Sequence, residues 1–165
     1  MIRRQFFQSV SLALTAGALG LALNSPALAQ AGHDHGAAGE QQLTLNQGKK
    51  WATDAPLRKS MTRIRELVAP QIDAAHAGKM DDAKYKTLAG QTEQQIGVIV
   101  KECKLEPAAD EVLHVLIGRM GESMDVMSGK TAGKKDDALV QLARTVNDYG
   151  THFDHPGFKS IPLTH

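Results

Sequence analysis

The sequence predicts an all-α protein: an antiparallel up-down-up-down four-helix bundle following a cleaved leader. Three observations carry this. Beyond residue 49 the apolar residues recur three and four apart, with no convincing strand-like alternation. Four such stretches are separated by short breaks rich in Gly, Pro, Ser or charged residues. Connections that short join antiparallel neighbours.

The leader spans residues 1–29. Arg3-Arg4 supplies a positive start, Phe6 to Leu23 is uncharged and mostly apolar, and Ala27-Leu28-Ala29 is a small-x-small cleavage site that predicts a mature start at Gln30. Arg3-Arg4-Gln5-Phe6-Phe7 also resembles the core of a twin-arginine export signal. The expected destination is the bacterial periplasm. Residues 30–48, rich in Gly, Ala, Gln and His, read as a flexible tail, residues 49–158 as the bundle and residues 159–165 as a second tail.

The first helix is expected from about Asp54, a good N-cap with Pro56 close behind, to about Ala77. Leu57, Met61, Ile64, Val68 and Ile72 form its inner face, Pro70 predicts a kink or an early end, and Gly78 stops it. The second helix starts near Asp81-Asp82, whose charges suit the positive end of the dipole, and carries Tyr85, Leu88, Thr92, Ile96, Ile99 and Cys103 inward. Cys103 is expected in its last turn. Leu105-Glu106-Pro107 leads to a third helix over about 108–127 with Leu113, Ile117, Met120, Met124 and Met127 inward. The fourth covers about Lys135 to His152 with Leu139, Leu142, Val146, Tyr149 and Phe153 inward, and Asp154-His155-Pro156-Gly157 breaks it.

The formal charge is +1 with neutral His, and losing Arg3 and Arg4 with the leader makes the mature chain −1. Such a chain has no electrostatic reason to bind nucleic acid or anionic lipid. No second apolar run is long enough to span a bilayer after the leader is removed. Cys103, the single cysteine, has no partner for an internal disulfide. It reads as a buried apolar residue, a soft-metal ligand, or an intermolecular or redox thiol.

The bundle topology brings several ligand types to one end. Met61 lies about two turns into helix one, Cys103 closes helix two, His114 lies about two turns into helix three and His152 ends helix four. At about 1.5 Å per residue their depths agree within roughly 10 Å. Thioether, thiolate and imidazole suit copper rather than a hard cation, and His155 lies where it could replace His152. His33-Asp34-His35 in the tail is a loose collector of the same ions. Each residue also has a plainer reading: a stripe methionine fills core, and a flanking histidine sits half-exposed on the surface. The same holds for Met120, Met124 and Met127, which read as core packing before a copper-binding or docking face. The mature part shows no nucleophile elbow, phosphate loop or catalytic carboxylate pair, so an enzyme is not expected.

The chain resembles the cytochrome b562 and cytochrome c′ group of periplasmic four-helix bundles. Leu57-x-x-x-Met61 matches the methionine that holds haem early in helix one of the b562 type, and Asn147-Asp148-Tyr149 followed by His152 resembles its late histidine. Gly150-Thr151 depart from that pattern, placing the histidine three residues after the tyrosine and turning the imidazole around the helix. The Cys-x-x-Cys-His attachment motif of cytochrome c′ is absent, which excludes covalent haem of that type. Tyr149–Gly157 also looks like a segment of small exported proteobacterial proteins and implies no activity. The resemblance implies haem b bound by Met61 and His152 as a rival to copper.

Three functions are therefore expected in order: a non-catalytic copper-binding protein for buffering or delivery, a haem b electron carrier, and a metal-free helical interaction module that could pair as a homodimer through helix three.

Overall fold

Four helices make up the fold: α1 (Ala55–His76), α2 (Asp82–Glu102), α3 (Pro107–Ser128) and α4 (Lys135–His152). The structure, a computed structural model, describes residues 42–163, which belong to one unit, Ala38–His165. The leader, most of the expected flexible tail, and with it His33 and His35, lie outside the described residues. Each helix packs on its neighbours in a ring, α1 on α2, α2 on α3, α3 on α4 and α4 back on α1. None of the described helices is long and apolar enough to cross a membrane.

Local chemistry sets the helix starts. The Asp54 carboxylate caps α1 by accepting the Leu57 N–H (2.9 Å), and Asp81 does the same for Lys84 in α2 (2.8 Å). Glu106 and Lys134 precede α3 and α4 without a side-chain cap. For α4, Asp136 and Asp137 in the first turn face the positive dipole end instead, and the phenol of Tyr85 reaches across from α2 to hydrogen-bond Asp136. α3 stops at Gly129, whose φ of 81° is left-handed.

The helix α1 runs through Pro70 to His76 and does not end early. Pro70 is exposed, while Val68 and Ile72 on either side of it are wholly buried. Two such anchors contribute about 1.5–3 kcal/mol each, enough to offset the roughly 3 kcal/mol that an interior proline costs.

The expected inner faces of α1 and α4 are buried throughout, and Met120, Met124 and Met127 are core residues. In α3 the stripe is wider than the spacing of Leu113 and Ile117 implied: Val112 and Leu116 are buried and Ile117 is only half-buried. Cys103 is half-buried and extended just beyond α2, not inside its last turn.

Both expected tails need correction where they are described. Residues 159–163 belong to the folded unit: the Asn147 amide donates to the Ile161 carbonyl (2.9 Å) and accepts its N–H (2.7 Å), and Ile161 is buried. Asn147 thus pairs like a backbone strand, which no local pattern announces. Before the bundle, Asn46 and Lys49 close a turn with two backbone bonds, and the Thr44 carbonyl accepts the Trp51 indole N–H (2.7 Å).

Candidate functional site

The end of the bundle that holds the start of α1 and the finish of α4 is closed by a cap of distant segments. Trp51 runs parallel to Phe153: its N–H donates to the His152 carbonyl (2.8 Å) and its carbonyl accepts the Asp154 N–H (2.8 Å). Thr53 adds a hydroxyl bond to the Asp154 carbonyl (2.6 Å). Beneath the cap, the rings of Tyr149 and Phe153 stack with centroids 5.3 Å apart, and Phe158 meets Tyr149 edge-on at 5.2 Å. That approach requires glycine at position 150, because a Cβ there would lie 2.7 Å from the Phe158 ring. Gly157, at φ +80°, provides the turn that brings Phe158 back.

His155 stands on this cluster. The buried Tyr149 hydroxyl and His155 Nδ1 are 2.9 Å apart, and Thr62 Oγ1 lies 3.4 Å from Nε2. Burial holds the Tyr149 proton well above the usual phenol range, so this group remains a donor. Nδ1 is the only hydrogen-bond partner of that hydroxyl among the described residues, so the phenol donates to Nδ1 and the imidazole proton sits on Nε2. Burial, then the neighbouring Arg58 guanidinium, lowers the His155 pKa below its ordinary 6.5.

Lowering the pKa sets the sign of an acid effect. The unfolded chain binds this proton first, so the contribution of His155 is fully present above about 6.5 and is lost as pH falls through the lower folded value. Denaturant midpoints at pH 7.5 and pH 5 should therefore drop further in the wild type than in His155→Asn; parallel drops would contradict the neutral imidazole.

Cys103 lies at the same end. Its thiol donates to Asp54, the carboxylate that also caps α1 and accepts the Lys104 N–H (2.7 Å), tying the finish of α2 to the start of α1. Burial first, and Asp54 second, push this thiol up to about 12, so it stays protonated in the ordinary pH range.

The structure thus gathers Met61, Cys103, His152 and His155 at the end expected for them, but in different settings. Met61 is wholly buried among core residues. His114 is exposed and faces Asp110 of its own helix, Nδ1 lying 2.9 Å from that residue's carbonyl oxygen and 3.4 Å from its carboxylate. His152 Nδ1 is 2.8 Å from both the Asp148 carbonyl and the Thr151 hydroxyl. Among the described residues, no three His, Cys, Asp or Glu side chains are arranged to hold a metal ion. Copper bound here would have to displace the proton of the Cys103 thiol and the proton on the His155 ring nitrogen that faces Thr62.

Sequence reasoning missed an open cleft of about 490 Å³ beside the cap, lined by Ala52, Thr53, Arg58, Lys59, Thr62, Asp154, His155 and Pro156. Arg58, Lys59 and Thr62 could have been found as polar residues at one, two and five places after Leu57. Their partner segment lies about a hundred positions away, beyond the reach of helical periodicity. Neither this cleft nor a second of about 380 Å³ between α1 and α2 is lined by Met61 or His152, the residues named for haem.

Compared with known proteins, the chain matches no family model, no curated protein and no solved structure. Its function is therefore argued from the site alone.

Proposed function

We propose that this chain is a non-catalytic recognition protein of the exported compartment, a rigid helical bundle that presents the cleft beside its cap to a ligand. The observation that carries this reading is the mutual commitment of the reactive groups around the cleft. Asp54 is occupied by two backbone N–H groups and a thiol, Cys103 is held protonated, and Tyr149 and His155 satisfy each other. None of these groups is left activated as a nucleophile, and together they brace the wall behind an open, charged groove. Arg3-Arg4 and Ala27-Leu28-Ala29 support export.

Mapping amide shifts of the isotope-labelled mature chain against a small-molecule filtrate of the exported fraction tests this. Changes centred on Ala52, Thr53, Thr62 and residues 154–157 support the reading. Changes confined to the opposite end of the bundle would overturn it.

Copper binding is kept as a second reading because Cys103 and Tyr149 are close enough to influence each other's charge, which brings a sulfur and the His155 ring to one place. One Cu(I) per chain, held against a chelating competitor and lost in Cys103→Ala, would favour it over the first. Unchanged affinity in that variant removes it.

A further inference from the structure

We infer that the cleft between the start of α1 and the turn after α4 binds a singly charged carboxylate, either a small free acid or the end of a peptide chain. This rests on the recognition reading and names the ligand class of that site.

The first argument is an uncompensated charge. Arg58 and Lys59 line the cleft, and no acidic side chain forms an ion pair with either among the described residues. Asp154 is the one acidic residue in the lining and is exposed. Burial and Arg58 lower the His155 pKa, and a Tyr149 proton donated to Nδ1 likewise favours the neutral ring. Two cations against one anion leave a single positive charge, which a monoanion neutralises and a dianion overshoots.

The second argument is the shape of the donor set. Arg58 Nη1 is consumed by Thr53, donating to its carbonyl (2.7 Å) and its hydroxyl (2.9 Å). These bonds fix the guanidinium plane and leave the Nε–Nη2 edge, two parallel N–H groups spaced for the two oxygens of a carboxylate. His155 Nε2–H faces Thr62 Oγ1, which leaves the Thr62 hydroxyl proton as a further donor in the lining, and Lys59 adds an ammonium. Ala52 and Pro156 offer a small apolar wall, enough for a methyl or a short methylene chain, and the lining holds no Phe, Tyr or Trp.

The field around the cleft points the same way. Arg58 also opposes the protonation of His155, so an anion seated beside it would raise the imidazole's affinity for a proton, a signature specific to this location.

The experiment is a shift titration of the full mature chain at ionic strength held constant with chloride. The probes are acetate, N-acetyl-Gly-Ala as free acid, the same dipeptide as its amide, and inorganic phosphate. Acetate or the dipeptide acid is expected to saturate, to move the Ala52, Thr53 and His155 signals, and to raise the His155 titration midpoint. Arg58→Gln should weaken binding about 10-fold or more. Lys59→Ala, which disturbs no bond of the fold, should weaken it about 3-fold. Arg144→Gln, an exposed α4 position outside the cleft lining, should leave it unchanged.

Tighter binding of the dipeptide acid than of acetate assigns the source to a chain terminus, and equal binding assigns it to a small acid; both uphold the site. Absence of saturation by either acid, equal binding of acid and amide, tighter binding of phosphate, or unchanged affinity in both cleft variants would overturn it. If these probes fail while the exported filtrate still maps to the cleft, the carboxylate assignment falls and the recognition reading stands.

Discussion

Replacing Phe153 by alanine is expected to lower folding stability by about 3–5 kcal/mol. The ring is wholly buried and stacks on Tyr149. Its backbone lies where α4 ends and Trp51 runs alongside, so the cavity would open beneath the seam that joins Trp51 to the finish of α4. Urea unfolding followed by far-ultraviolet circular dichroism checks it through the midpoint, with the slope unchanged. A loss below about 1 kcal/mol would mean that the ring is not packed as described.

Asp54→Ala has the second large effect, and it is read twice. The variant loses the α1 cap and the acceptor for the Lys104 N–H, at a combined cost of about 1–3 kcal/mol. That N–H is exposed and can turn to water, which keeps the figure from being larger. The second readout is chemical. Burial still disfavours the Cys103 thiolate, but the carboxylate that also disfavours it is gone, so the thiol should fall from about 12 toward its ordinary 9. Alkylation by iodoacetamide at pH 8 should speed up accordingly. Asp54→Asn separates the two effects: asparagine caps as well as aspartate, so stability is largely kept while the thiol is still released. Equal alkylation rates in both variants and the wild type would show that Asp54 does not govern the sulfur.

Periodicity made the bundle legible, because a helix whose inner face is buried must repeat its apolar residues every three or four places. Leu57 through Ile72 and Leu139 through Phe153 are buried as that rule requires. Asp54 was legible as a cap and Asp81 as a helix start for similarly local reasons. The common end of Met61, Cys103, His152 and His155 followed from helix order alone. Side-chain direction did not. His114 lies next to the buried Leu113, and one residue is a rotation of about 100° around the helix, enough to turn its ring out to Asp110. The cap was illegible because its bonds join residues a hundred positions apart. Nothing in Trp51-Ala52-Thr53 or in Phe153-Asp154-His155 alone says that the two run side by side. The Asn147–Ile161 pairing was hidden in the same way, an ordinary helix asparagine standing in for a strand.

The seam has a further consequence for how the chain comes into being. Lys50 reaches the Gly150 carbonyl and Thr53 reaches that of Asp154 across separations of 100 and 101 positions. These bonds have no local substitute, so Trp51 waits unlatched until the last turn of the last helix has emerged. A product broken off before Phe153 would retain all four helices, yet lack the Phe153 ring and the Asp154 backbone groups that bond Trp51 and Thr53. Closure of the seam is thus a late event in the making of the fold, since it needs Trp51 on one side and residues 152 to 154 on the other.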